Sequence, residues 1–137
     1  DIHRLVLQAY KSNKTVGALC YSVGALAFAR DPDNDFKSVI HGKHVTAHPH
    51  QWDFVGDHHY DLVRATDANP GAILITNGFV FPLQFLVEDA VGSRSLVSSD
   101  PTTSRVKPSV VYDAPFVTAL SVESSIAFGK KLVEVVG

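Results

Sequence analysis

Val16-Gly17-Ala18-Leu19-Cys20-Tyr21-Ser22-Val23-Gly24-Ala25-Leu26 decides the reading of this chain. Val16 to Leu19 is an apolar run too short for a helix and reads as a buried strand, while Val23, Leu26 and Ala27 recur at helical spacing directly after it. Cys20, the only cysteine, falls at the junction. Ala18 and Ser22 stand two residues to either side, which is the small-x-nucleophile-x-small pattern of a nucleophile elbow. There a strand turns so sharply into a helix that only small neighbours fit, and one reactive side chain is pushed into a cleft. The turn also points the next backbone N–H, that of Tyr21, toward an anion forming beside the nucleophile. Free cysteine is equally at home as a small buried hydrophobe. The flanking pattern favours the elbow over that alternative.

Working outward, Ile2, Leu5, Val6, Ala9 and Tyr10 form a helix stripe, so a helix is expected from Ile2 to Asn13, then a strand from Thr15 to Leu19 and a helix from Ser22 to Arg30. Asp31-Pro32-Asp33-Asn34-Asp35 must end that helix in a turn. His44 to Ala47 reads as a short strand limited by Pro49, residues 50–70 as polar His-rich loop, Ala72 to Thr76 as β-like, and Phe85 to Val91 as a short helix. Ser98 to Lys107 reads as loop. Val110 to Tyr112 and Phe116 to Thr118 flank Asp113-Ala114-Pro115 and read as a hairpin. In the last helix Val122, Ile126, Gly129, Val133 and Val136 share one face, with Ser121 as N-cap and Glu123 in the first turn. Residues 1–137 are therefore expected to form a single α/β domain.

Composition limits the function. With 45% apolar and 19% charged residues the chain is globular, and a net charge of −2 without a basic block leaves no nucleic-acid footprint. One cysteine excludes an internal disulfide framework, which fits a reducing, cytoplasmic setting. No apolar run approaches the ~20 residues of a membrane-spanning helix. The chain has no methionine and its apolar stripe starts at Ile2, so a further segment is expected ahead of Asp1.

Val16 to Leu26 resembles the elbow of DJ-1/PfpI proteins, which share the class I glutamine amidotransferase-like fold. Gly42-Lys43-His44-Val45-Thr46-Ala47 is similar to the G-K-x-V-T segment that follows the elbow helix there. Val110 to Ala119 looks like the family's C-terminal hairpin, and Ser121 to Val136 like its closing helix. The resemblance implies a flavodoxin-like three-layer α/β sandwich with a mostly parallel sheet. It also implies that this chain lacks the family's N-terminal βαβ unit, whose loops carry a glutamate bonded to the cysteine and a glycine of the oxyanion hole. Homo-oligomers, or a second chain supplying that unit, would be the partners.

A cysteine at a helix N-terminus is expected to have a lowered pKa and to attack carbonyls as the thiolate. Many family members follow the cysteine with histidine, whereas this chain has Tyr21, which points away from an amidase or peptidase and toward glyoxalase-like or hydratase-like chemistry on a small carbonyl. Tyr21 would supply its N–H to the oxyanion, and its hydroxyl would either meet substrate or line the cleft. His41, His44, His48, His50, His58 and His59 fall within 19 residues, and His48, His50 or His59 is a candidate replacement for the missing histidine. Their spacings match no standard zinc pattern, and no metal or cofactor is expected. Glu88 and Asp89 read as a solvated face or a carboxylate pair, and Trp52, Phe54 and Tyr60 as packing or cleft wall. Asn13-Lys14-Thr15 is an N-glycosylation tripeptide that matters only outside the cell. An amidase or peptidase of the same family is the alternative enzyme, and a non-catalytic redox sensor, a chaperone-like protein and a fragment of a processed protein are the alternatives to an enzyme.

Overall fold

The structure is a computed structural model, and it describes residues 1–53 and 82–137. Helix α1 (Ile2–Lys11) buries Val6 and ends where Asn13 takes a left-handed φ of 52°, a conformation asparagine tolerates at helix C-termini. Lys11, in the last turn, pairs with Asp31 at 2.8 Å and with Asp33. Strand β1 (Val16–Leu19) follows, then a single 3₁₀ turn (Cys20–Ser22) that runs into α2 (Val23–Phe28). The helix expected from Ser22 to Arg30 is thus shorter at both ends. Arg30 instead opens a two-residue hairpin, β2 (Arg30–Asp31) with β3 (Lys37–Ser38), around the acidic turn.

Strand β4 (Val45–Thr46) runs parallel to β5 (Val97–Ser98), and between them lie α3 (His50–Asp53) and α4 (Leu83–Val91). The hairpin is as expected, with β6 (Val110–Asp113) antiparallel to β7 (Phe116–Ala119). On its other edge β7 pairs in parallel with β1, Val16 opposite Phe116 and Leu19 opposite Ala119. All four β7 residues are buried, as a central strand requires. The chain is α/β, and its described strands pair in both senses. Residues Ala72 to Thr76 and the polar stretch after Asp53 lie outside the described residues. Among the described residues no helix is long and apolar enough to cross a membrane.

Val23 and Leu26 of α2, Leu83 and Val87 of α4, Ile40 and Phe116 make the core, and Tyr10 stacks on the Phe116 ring at 5.7 Å. Period-two alternation turns Val16 and Ala18 toward that core and Gly17 the other way. A methyl group on Gly17 would stand 2.9 Å from Cζ of Phe128 and 3.1 Å from Cδ2 of Leu132, so glycine is what lets α5 (Ser125–Val136) lie close over β1. Helix α5 therefore packs with Phe128 and Leu132. The stripe seen in the sequence is turned outward, with Ile126 at 74% and Val133 at 73% of full exposure.

Helix α4 ends at Gly92, whose φ of 84° is left-handed and whose N–H closes on the Glu88 carbonyl at 3.0 Å. A Cβ there would lie 2.9 Å from Cε1 of His41. Gly92→Ala should cost about 1–2 kcal/mol from the backbone conformation alone, with the displaced His41 ring adding to it. Urea unfolding of the two proteins measures the difference, and equal midpoints would contradict it.

Candidate active site

Because β1 and β7 are parallel and in register, Cys20 leaves the C-terminal end of β1 beside the residues that follow β7, Leu120 and Ser121. Ligands of open α/β sheets bind at such carboxyl ends. Cys20 has a φ of 57°, in the left-handed region that costs a non-glycine residue roughly 1–2 kcal/mol. Ser22 holds the turn in place, its hydroxyl accepting the Leu19 N–H at 2.7 Å and donating to the Leu19 carbonyl at 2.7 Å. Sequence reasoning treated Ser22 only as a small residue; its position two after the cysteine was the available signal.

A second segment closes on the elbow. Asp113 accepts the His44 N–H at 2.8 Å and pairs with Lys43 at 3.1 Å, and the Thr46 N–H donates to Thr118 Oγ1 at 2.9 Å, fastening β4 against the β6–β7 hairpin. The chain leaving β4 brings the His48 ring onto the Tyr21 ring, with centroids 4.8 Å apart, while Trp52 packs edge-on against His48 at 5.2 Å. The buried Asp53, at the end of α3, completes the group. Its Oδ1 accepts the Tyr21 hydroxyl and lies 3.1 Å from His48 Nδ1, inside ion-pair range although not aligned as a hydrogen bond. The Tyr21 hydroxyl is thus committed to a carboxylate in this structure.

The electrostatics correct one expectation. Burial pushes the half-buried Cys20 thiol above its ordinary pKa, and the Asp53 and Glu123 carboxylates push the same way. Only the Tyr21 backbone N–H, hydrogen-bonded to the sulfur, opposes them. A 3₁₀ turn leading into six helical residues adds too little aligned dipole to reverse this. Glu123, just after β7, is held below the usual carboxylate range by the neighbouring Ser121 hydroxyl and its own backbone N–H, with Arg105 and His48 adding to the effect. A thiol in this setting stays protonated near neutral pH until a base takes its proton.

The structure therefore sets His48 on the ring of Tyr21, the residue after Cys20, and adds Asp53, which sequence reasoning missed. His50 is drawn elsewhere: its backbone N–H and Nδ1 both reach Gln84 Oε1, at 3.0 and 2.9 Å, and its ring stacks on Phe85 of α4. Gln84 passes on to Glu88 at 2.8 Å, and Glu88 pairs with Arg94 at 3.0 Å. Glu88 is engaged there while Asp89 is exposed, so the two form no carboxylate pair. His59, with His58, Phe54 and Tyr60, lies outside the described residues. Among the described residues no group of three or more histidine, cysteine, aspartate or glutamate side chains is placed to hold a metal ion.

No family model and no curated protein matches this chain. Three solved chains do, two of them as follows. Rapid Encystment Protein 24 kDa (REP24) of Francisella tularensis is 26% identical, with a TM-score of 0.68 over 99% of this chain and 49% of that one. The protein designated APC35852 is 16% identical, with a TM-score of 0.66 over 98% of this chain and 50% of that one, a likeness of fold alone. The chain thus shares its α/β fold with both and spans about half their length.

Proposed function

We propose that this chain carries the nucleophile of a cysteine enzyme of the DJ-1/PfpI type, acting on a small carbonyl compound in the manner of a glyoxalase or hydratase. The observation that carries the reading is the left-handed Cys20 at the carboxyl end of β1, with the Tyr21 N–H on its sulfur. A strained non-glycine residue at the mouth of a parallel strand pair is a costly place for a side chain that only packs. On a 2-oxoaldehyde, Sγ forms a bond to the aldehyde carbon and the carbonyl oxygen becomes the hydroxyl of a hemithioacetal. The aldehyde hydrogen then moves as a proton to the neighbouring carbonyl carbon and the hemithioacetal hydroxyl proton passes to that carbonyl's oxygen, so the second carbon is reduced to an alcohol as the first is oxidised to a thioester. Water cleaves the thioester, releasing a 2-hydroxy acid and restoring the thiol. The Tyr21 N–H faces the developing oxyanion.

The finer architecture belongs to the same reading: a flavodoxin-like three-layer sandwich whose remaining strands extend the sheet beyond β1. The outward stripe of α5 and the exposed Ile2 and Leu5 of α1 give further sequence or a second chain surface to cover. The amidase alternative lacks a histidine next to the nucleophile.

The test is incubation with methylglyoxal, following 2-hydroxy acid by chromatography and the protein by intact mass. Turnover with a transient adduct on Cys20 is expected. No adduct and no product, in a chain whose partner segment has been supplied, would overturn the proposal.

A further inference from the structure

We propose that His48 is the proton acceptor for Cys20, held over the elbow by the Tyr21 ring and backed by the Asp53 carboxylate. The inference rests on the nucleophile reading and says which of the chain's histidines serves it. Three observations carry it. His48 lies stacked on the residue next to the nucleophile, whereas His50 is tied to Gln84 and Phe85 of α4. The Asp53 carboxylate, almost wholly buried, sits 3.1 Å from His48 Nδ1. The thiol is half-buried, and burial first and the charges of Asp53 and Glu123 next disfavour its thiolate, so it needs a base within the site.

The step is a simple proton transfer. The Cys20 S–H bond breaks, an N–H bond forms on the imidazole, and the electron pair stays on sulfur. The Asp53 carboxylate lies on the Nδ1 side of the ring, which leaves Nε2 as the nitrogen assigned to receive the proton. The imidazolium formed is flanked by Asp53 from α3 and Glu123 from the turn after β7, while Arg105 tempers Glu123 and Tyr21 and Trp52 add no charge. The two carboxylates that discourage a lone thiolate thus favour the thiolate–imidazolium pair. Asp53 and Tyr21 act through His48 and are positioning residues, since the Tyr21 hydroxyl and His48 Nδ1 converge on the same Oδ1.

With a single cysteine, alkylation by iodoacetamide reports on Cys20 without ambiguity. In the full chain the alkylation rate, measured from about pH 5 to about pH 10, should rise first in the imidazole range and again in the thiol range. In His48→Gln the early rise should vanish and the rate near neutral pH should fall at least about tenfold. In Asp53→Asn the early rise should move to lower pH, because removing a nearby negative charge eases every deprotonation of the pair. A His48→Gln profile that superimposes on the wild type overturns the inference. If His48→Gln does not fold by circular dichroism, an unmoved early rise in Asp53→Asn overturns it instead. A wild-type Cys20 that alkylates in a single high-pH rise defeats His48 and leaves the nucleophile standing. Cys20 inert at every pH defeats the nucleophile reading itself.

Discussion

Cys20→Ser should lower methylglyoxal turnover by about 10³-fold or more while leaving the fold intact. Serine keeps the Cβ and the size of the side chain, so the elbow, its Ser22 clamp and the Tyr21–Asp53–His48 group are undisturbed. What changes is the reacting atom: an alcohol is far less acidic and less nucleophilic than a thiol, and the single base at hand cannot make up the difference. Stability supplies an independent readout at the same position. Comparing Cys20→Ala with Cys20→Gly isolates the backbone, since both remove the sulfur and only alanine must hold a Cβ at a φ of 57°. Glycine should be the more stable of the two by about 1 kcal/mol, the signature of strain kept for function. Equal turnover in Cys20→Ser would place the chemistry on other residues, and equal stability of the alanine and glycine variants would remove the strain argument.

The largest stability loss is expected at Phe116. This ring is fully buried at the start of β7, opposite Val16 of β1 and stacked on Tyr10 with planes 9° apart. It joins the central strand to α1 and to the α2 side of the core. Phe116→Ala should cost about 3–5 kcal/mol, from lost burial and from the cavity left under α1. Because a domain has roughly 5–15 kcal/mol in all, the variant should be partly unfolded at physiological temperature. Phe116→Leu should cost markedly less, since most of the volume is kept. Urea unfolding monitored by circular dichroism gives both values, and a loss under about 1 kcal/mol in Phe116→Ala would mean that the core is centred elsewhere.

The parts that a sequence states locally were readable. The strand–turn–helix around Cys20 announces itself because its parts are contiguous, and the β6–β7 hairpin because Asp113-Ala114-Pro115 separates two β-branched runs. Helix α4 appeared within two residues of its start. Strand pairs of two residues, such as β4 with β5, are too short for any periodicity to register and exist only through tertiary contact. The outward stripe of α5 shows the limit of periodicity: it marks an apolar face but not what lies against it, and here Gly17 admits Phe128 and Leu132 instead.

The site divides the same way. Cys20 and the Tyr21 N–H follow from the turn itself, whereas His48 and His50 are equivalent on paper, two residues apart in a polar stretch. Gln84, distant in sequence, separates them by engaging His50. Asp53 gains meaning only when α3 folds back and buries its carboxylate beside Tyr21. The raised thiol pKa was unreadable because it depends on burial and on Glu123, contributed from the far end of the chain.

The central claim, that Cys20 is a nucleophile presented to substrate, is tested most directly by a thiol-labelling comparison near neutral pH, native against denatured, followed by intact mass. Labelling of the native chain without unfolding, complete at one site and suppressed by methylglyoxal, is the predicted result. A native Cys20 that stays unlabelled until the chain is unfolded would contradict the account.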